Sequence, residues 1–324
     1  CLVGLGDVYK RQRMCTAMTL QSRSKEVFFG RTMDFSHDII PQFYIIPSSN
    51  VWNNNLNQKQ FQDSYQFIGL GQELDGILGF FDGVNEKGFA AAALYFAGYA
   101  EYNTNSNYKS TEPLASIDFL HYILGRCASV NDLPSLLREI TIVGVPDPVT
   151  NTIAPLHWIA TDRSGACVVI EPTKRGLELI INPIGIMANS PNIQWHMTNL
   201  RNYTEVSPTQ TEEVTWDTIS LTPFGQAGGT IPLPGGFTSP ERFVRTSYLK
   251  SHLPVPTDST EAIAACFHIM ESVSIPKGAV ITSRNTYDYT KYTAFINTNT
   301  CEYFYKTYDD ISVTRTGLWH TETV

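Results

Sequence analysis

The order of strand-like and helix-like segments is the feature that most constrains the fold of this chain. Strand patterning appears between residues 15 and 95, 156 and 188, and 292 and 306, with a pair of amphipathic segments in each gap. A sheet can bury one face against a second sheet and the other against helices, so this order favours a four-layer αββα sandwich of two antiparallel sheets, an α+β fold. Because no linker-rich segment and no fixed-period repeat divides the chain, residues 15–324 are predicted to form one domain.

Capping residues predict where the four helices begin. Ser116 is expected to cap the first helix and Asn131 the second, each ahead of an i, i+3, i+4 apolar stripe. Ser239, followed by a proline, opens the third helix, and Asp258 or Ser259 opens the fourth.

The first two strands are predicted to form a hairpin over residues 15–34, because turn-forming residues separate two apolar runs. A turn centred between residues 23 and 24 places Cys15 opposite Thr32, and Thr16 opposite Arg31. This register brings Arg31 back to the level of Cys15.

Arg31 and Asp34 stand out within the second of these strands. Arg31 continues the face formed by Val27 and Phe29, and a charge in an apolar row needs a partner or a function. The alternative is an arginine at a strand end that reaches solvent. Asp34 follows directly and places a carboxylate near the same end of the hairpin.

Cys15 follows Met14, so removal of the methionine would expose an N-terminal cysteine. Such a residue carries a thiol nucleophile and an α-amine base together. Residues 1–14 are therefore expected to be a leader, either non-native or a short pro-segment that is removed. The alternative is that Cys15 is a small buried core residue, the commonest fate of a free cysteine.

Composition excludes several function classes. The formal charge of −8 and the lack of a basic stripe argue against nucleic-acid binding. No apolar run reaches the roughly 18 residues that a membrane span needs. The six cysteines form no CxxC and the seven histidines form no HxH or HxxxH, so neither a metal nor a cofactor is expected. Scattered thiols in a long chain are typical of a cytoplasmic protein.

Three later residues are candidates for a site. Asn189 ends an apolar strand, where its amide either points at a ligand or closes an Asx-turn. Arg242 falls in the first turn of the third predicted helix, where the helix dipole disfavours a cation, although the phase of the helix could still place it on the solvent face. Tyr95 ends a buried strand; its main-chain N–H could bind a ligand there, or its ring could simply fill the core.

Seven motifs occur in a fixed order, and together they resemble those of the choloylglycine hydrolase family, which includes bile salt hydrolases and penicillin V acylases. The motifs are Met14-Cys15-Thr16-Ala17, Gly30-Arg31-Thr32-Met33-Asp34, Asp82-Gly83-Val84-Asn85-Glu86-Lys87-Gly88, Leu156-His157-Trp158, Ala188-Asn189-Ser190-Pro191 with Trp195-His196, Leu233–Pro240 with Arg242-Phe243, and Tyr292-Thr293. The similarity extends from Met14 to about residue 315.

This resemblance implies an N-terminal-nucleophile hydrolase and a role for each candidate. Cys15 would be the nucleophile, with Arg31 near its thiol, and Asp34 would orient the α-amine. Asn189 and the Tyr95 N–H would bind the oxyanion, and Arg242 would complete the charged site. The two arginines are expected to lower the thiol pKa.

The substrate predicted from Tyr95 is a phenoxyacetyl amide of the penicillin V type, because penicillin V acylases carry tyrosine at this position where bile salt hydrolases usually carry asparagine. Conjugated bile salts are the alternative, since the apolar loops near residues 35–45 and 63–80 could also line a steroid pocket. An acyl-homoserine-lactone amide is a third option. A catalytically silent binding protein would result if the leader is retained. The resemblance further implies a homotetramer.

Overall fold

The first strand pair is a hairpin whose turn differs by one residue from the predicted turn. In the computed structural model, which describes residues 14–103 and 111–319, the loop is Arg23–Lys25 and the Ser22 N–H donates to the Glu26 carbonyl at 3.0 Å. Lys25 lies in the left-handed region with φ 68° and closes a three-residue loop rather than a two-residue one. The predicted leader lies outside the described residues except for Met14.

Many of the strands are short, and the longest belong to two large sheets. The strands of the described residues are β1 (Cys15–Gln21), β2 (Val27–Phe35), β3 (Gln42–Ile46), β4 (Val51–Asn53), β5 (Gln60–Gln62), β6 (Phe67–Leu74), β7 (Ile77–Asn85), β8 (Ala90–Tyr95), β9 (Glu112–Ala115), β10 (Ile140–Val143), β11 (Pro146–Asp147), β12 (Thr152–Ile153), β13 (Leu156–Thr161), β14 (Cys167–Thr173), β15 (Gly176–Ile181), β16 (Ile186–Met187), β17 (Val214–Trp216), β18 (Ile219–Leu221), β19 (Tyr289–Asn297), β20 (Glu302–Thr307) and β21 (Thr314–Gly317).

Helices occupy the positions predicted from the capping residues, with shifts of at most two residues. The α-helices of the described residues are α1 (Phe119–Leu124), α2 (Leu133–Glu139), α3 (Ile193–Asn199), α4 (Ser239–His252) and α5 (Ser259–Glu271). Asp258 caps α5 as expected, whereas Thr238, not Ser239, caps α4. The first helix begins after Asp118 instead of Ser116, and α3 was not predicted.

The predicted αββα sandwich is confirmed. A six-stranded antiparallel sheet in the order β16-β1-β2-β19-β20-β21 faces a seven-stranded antiparallel sheet in the order β15-β14-β13-β8-β7-β6-β3. Helices α4 and α5 pack on the outer face of the first sheet and α1 on that of the second, where α2 adds Leu133 to the apolar core. The facing inner sides bury residues such as Ala17, Leu94 and Ala294.

Close approach of strands fixes the centre of the six-stranded sheet. Gly30 of β2 lies opposite Phe295 of β19, and a Cβ at Gly30 would lie 2.3 Å from both the Ala294 carbonyl oxygen and the Phe295 ring. Only glycine therefore fits beside β19 at this point, one residue before Arg31.

Residues 82–85 have the composition of a turn but form part of a strand. Asp82 to Asn85 belong to β7, and the turn begins only at Glu86. The polar residues Asp82 and Asn85 mimic turn composition, but both are buried: Asn85 donates to the carbonyls of Leu124 and Cys127.

Candidate active site

Cys15 begins β1 between the two sheets and is buried, with 2% of its surface exposed. Its Sγ lies 2.8 Å from Arg31 Nη2 and 3.8 Å from the Asp34 carbonyl oxygen. Its main-chain N–H donates to Asn189 Oδ1 at 2.6 Å. Three of the predicted residues thus contact Cys15, two at its thiol and one at its main-chain nitrogen.

The observed register is what places Arg31 beside the thiol. Cys15 pairs with Met33 and Ala17 with Arg31, so the predicted pairing of Cys15 with Thr32 is wrong by one residue. Directly paired residues share a face of the sheet, and alternate residues of one strand also share it. Cys15 and Arg31 are therefore diagonal neighbours on the inner face, whereas the predicted register would have put them on opposite faces.

Arg31 is anchored by main-chain carbonyls. Its Nη1 donates to the carbonyls of Phe81 at 3.0 Å and Ala93 at 2.7 Å, where β7 and β8 have stopped pairing. Phe81 is the extra residue of a β-bulge opposite Leu70 and Gly71. Burial opposes the charge, but Cys15 and the surrounding acids hold the Arg31 pKa above its ordinary value, so the guanidinium stays ionised.

The Cys15 thiol is not acidic in this setting. Burial raises its pKa, Arg31 and Arg242 lower it, and the net direction is upward. The expected lowering by the arginines is therefore present but is outweighed by desolvation of the thiolate.

Asp34 and Arg242 form a second charged pair on the other side of Cys15. Arg242 Nη1 lies 3.9 Å from Asp34 Oδ2, and it also donates to the Cys15 carbonyl and to Thr16 Oγ1. Burial raises the pKa of Asp34 to about 6, against the opposing effects of Arg242 and of a hydrogen bond from Thr290 Oγ1 at 2.6 Å.

Asn189 connects the two sides. Its Oδ1 accepts from Arg242 Nη2 at 2.8 Å as well as from Cys15, and its Nδ2 donates to the Tyr95 carbonyl at 2.8 Å. The Asn189 carbonyl accepts from His196 Nε2 at 2.8 Å; His196 belongs to the unpredicted α3. The six predicted site residues are thus brought together.

Two residues that contact this site were missed by sequence reasoning. Thr290 hydrogen-bonds Asp34, and Thr16 binds Arg242. Thr16 follows Cys15 and precedes an apolar strand residue, which is a weak signal, and Thr290 carries none, since strand threonines are common.

An apolar cavity opens beside the thiol, with an empty volume of about 760 Å³ that includes its mouth. Its walls include Cys15 and Arg31, together with the largely apolar residues Met33, Phe35, Phe80, Phe81, Tyr95 and Val149. The Tyr95 and Phe35 rings lie 6.1 Å apart, centroid to centroid. A largely apolar group could fill this space while its carbonyl meets the thiol.

Two further properties bear on function. Across residues 14–103 and 111–319, no group of three or more His, Cys, Asp or Glu side chains could hold a metal ion. Within the same residues no helix combines the length and apolarity that crossing a membrane requires.

Comparison with known proteins shows which family this chain resembles in sequence. The family model for linear amide C–N hydrolases of the choloylglycine hydrolase family matches residues 15–323. A bile salt hydrolase/transferase of Clostridium perfringens is 31% identical over 299 residues, covering 92% of this chain and 90% of that protein. A penicillin V acylase of Pectobacterium atrosepticum is 26% identical over 306 residues, covering 86% of this chain and 73% of that protein.

A solved structure agrees with these relatives. A single-residue mutant of the conjugated bile acid hydrolase from Clostridium perfringens superposes with a TM-score of 0.86 at 29% identity, covering 94% of this chain and 92% of that one. The span that the family model matches covers both sheets and all six site residues. The chain therefore belongs to the choloylglycine hydrolase family and is a hydrolase of linear amides.

Proposed function

We propose that this protein hydrolyses conjugated bile salts through Cys15, after the residues before Cys15 have been removed. The observation that carries the proposal is that Cys15, whose thiol lies 2.8 Å from a buried arginine, lines the apolar cavity. The largely apolar lining suits the apolar acyl group of a bile salt, whose amide bond would then lie at Cys15. The bile salt hydrolases among the relatives support this alternative over the penicillin V interpretation taken from Tyr95.

The reaction follows from the contacts around Cys15. The thiol gives its proton to the freed α-amine, and the sulfur attacks the amide carbonyl carbon. The tetrahedral oxyanion accepts hydrogen bonds from Asn189 Nδ2, which has a second N–H besides the one directed at Tyr95, and from the Tyr95 N–H. The α-ammonium protonates the departing amine, which leaves an acyl thioester on Cys15.

Deacylation uses the same groups. The α-amine takes a proton from water, the hydroxide attacks the thioester carbonyl, and the bile acid leaves as the thiol is restored. Asp34 is proposed to orient the α-amine, since its buried carboxylate lies against Arg242 in the same cluster. While Met14 is attached, the Cys15 nitrogen is a peptide amide and cannot act as a base.

Phenoxyacetyl amides such as penicillin V are a second candidate. The Tyr95 ring on the cavity wall, close to Phe35, offers an aromatic acyl group an edge or face contact. Replacing Tyr95 by asparagine is expected to lower any penicillin V activity while bile salt cleavage persists.

The deciding assay measures amine release from glycocholate, taurocholate and penicillin V by protein whose mass shows Cys15 at its N-terminus, with Cys15→Ala as the blank. Preference for bile salts supports the proposal, and preference for penicillin V overturns it. If no amide is cleaved and iodoacetamide labels Cys15 no faster than Cys127 or Cys266, the silent binding protein is the better interpretation. Burial raises the pKa of both comparison thiols.

We also propose that copies of the chain associate, as the predicted homotetramer requires. The β17–β18 hairpin supports this, because Trp216 and Ile219 are more than half exposed on it. Light scattering should give a tetramer mass for the wild type and a smaller mass after Trp216→Ser with Ile219→Ser. A cytoplasmic location is proposed because the five cysteines of the described residues are free.

A further inference from the structure

Asp82 places a carboxylate in the core between the two sheets. It is 1% exposed, and its oxygens accept from the hydroxyls of Tyr292 at 2.6 Å and Tyr303 at 2.9 Å. Asp82 belongs to the seven-stranded sheet, whereas both tyrosines come from the facing sheet and are themselves buried. The proposed reaction assigns no role to the Asp82 carboxylate.

A buried carboxylate with two neutral donors still needs a counter-charge. Within the described residues, Asp82 has no ion pair at 4.0 Å or less. Burial raises its pKa, and Arg31 is the largest opposing influence, ahead of the two tyrosine hydroxyls. Burial also holds the pKa of each tyrosine well above its ordinary value, so both remain neutral donors.

The main chain links Asp82 to Arg31. The guanidinium donates to the carbonyl of Phe81, the residue that precedes Asp82, at the β-bulge of β7. Arg31 has no carboxylate within 4.0 Å in the described part of the chain, and its other contacts are carbonyls and the sulfurs of Cys15 and Met33.

The buried charges therefore separate into two sets on either side of Cys15. Arg242 and Asp34 lie on the side of the Cys15 main chain, 3.9 Å apart. Arg31 and Asp82 lie on the side of the thiol. On the thiol side, the cation Arg31 is matched by the acid Asp82 before the thiol ionises, whereas Arg242 is influenced by the buried Asp288 as well as by Asp34.

We propose that Asp82 is a positioning residue that acts through Arg31. Its carboxylate is held by the hydroxyls of Tyr292 and Tyr303 and is the buried counter-charge of the guanidinium beside Cys15. Asp82 thereby limits how strongly Arg31 stabilises the thiolate and keeps the sulfur nucleophilic. The inference rests on the proposed role of Cys15 as nucleophile. The groups that face the Asp82 carboxylate are Arg31 from β2, Tyr292 from β19 and Tyr303 from β20.

The test is the pH dependence of iodoacetamide alkylation at Cys15 in Asp82→Asn, using the full chain so that no Cys15 α-amine titrates alongside. Loss of one buried charge should move the Cys15 midpoint down by about one pH unit. The plateau rate at high pH should fall about threefold, because nucleophilicity decreases with thiol pKa. Asp82→Glu should restore both values towards wild type.

Asp63→Asn is the matched control. Asp63 is also a buried carboxylate, but it accepts from Asn50, from Trp52 of β4 and from His121 of α1, away from Cys15. The pH midpoint of Cys15 alkylation in Asp63→Asn should equal that of the wild type. An Asp82→Asn midpoint that is unchanged or moves to higher pH overturns the inference.

A second variant keeps the test usable if Asp82→Asn does not fold. Asp82→Ser also removes the charge, in a smaller side chain, and should shift the Cys15 midpoint in the same direction; no shift overturns the inference. Bile salt cleavage by the processed wild type tests the proposed function separately. The two can fail independently, because alkylation needs no substrate.

Discussion

Replacing Arg31 by methionine tests whether the guanidinium makes Cys15 reactive. Methionine has a similar length and no charge, and the structure gives the size of the loss. An opposite charge in direct contact, here at 2.8 Å, lowers an acid's pKa by about 1–3 units. The thiolate fraction at pH 7 should fall about 10- to 1,000-fold in Arg31→Met.

The alkylation rate should fall less than the thiolate fraction does. A thiolate of higher pKa is more nucleophilic, with a Brønsted slope of about 0.4–0.5, which recovers about threefold per unit. Iodoacetamide should therefore label Cys15 about 3- to 40-fold more slowly at pH 7, with the midpoint of the profile shifted to higher pH. A rate within twofold of wild type and an unshifted midpoint would refute the reasoning.

Stability must be measured in the same variant, because Arg31 also satisfies buried carbonyls. Losing its bonds to Phe81 and Ala93 leaves two acceptors unpaired, at about 1–3 kcal/mol each. Arg245→Met is the matched control: Arg245 likewise donates to three main-chain carbonyls, those of Pro234, Gly236 and Ser272. It should lose stability in urea denaturation while Cys15 keeps its alkylation rate.

Three further predictions follow from the same geometry. The Asp34 pKa of about 6 lies above its unfolded value of about 3.9, so the stability that this group contributes is complete below about pH 4. That contribution declines, by up to about 3 kcal/mol, as the pH rises through 6. In the full-length chain, Asp34→Asn should flatten this part of the plot of urea midpoint against pH, and parallel plots for variant and wild type would contradict the assignment. Asn189→Ala should lower kcat for amide cleavage by about 10²–10³ with little change in KM, whereas Asn192→Ala, which removes only the cap of α3, should lose about 1 kcal/mol of stability and keep kcat. Gly30→Ala should destabilise the fold by at least about 1–3 kcal/mol, because its Cβ meets atoms of β19 at 2.3 Å; Gly225→Ala, with nothing within 4 Å, should leave the melting temperature unchanged.

Sequence reasoning located the elements better than it located their pairing. Caps and apolar spacing identify four helices because those signals are local, and Asp258 shows how well one side chain can mark a helix start. The hairpin register depends on the φ of Lys25, and a left-handed lysine has no sequence signature. That one residue decides which face carries Arg31. Helix α3 is as long as α2, but its apolar residues Ile193, Trp195 and Met197 do not form the i, i+3, i+4 row that marks α2.

The candidate site was predicted where order along the chain was informative. Cys15, Arg31, Asp34, Asn189 and Arg242 come from distant elements that single motifs could not connect, and the motif order supplied that connection. Asp82 was missed as a charged group because it lies in a run with turn composition. Its burial depends on two tyrosines more than 200 positions further along the chain.

The anchoring of Arg31 on carbonyl oxygens bears on how this scaffold can diversify. The groups that fix the guanidinium at Phe81 and Ala93 are main-chain atoms, and every amino acid supplies the same carbonyl. The side chains at both positions line the cavity, where they are free to adapt to the shape of an acyl group. Substitutions there can change which amide enters without displacing the arginine from the thiol. The β-bulge thus lets the cavity lining vary during evolution while the contact between Arg31 and the Cys15 thiol is kept.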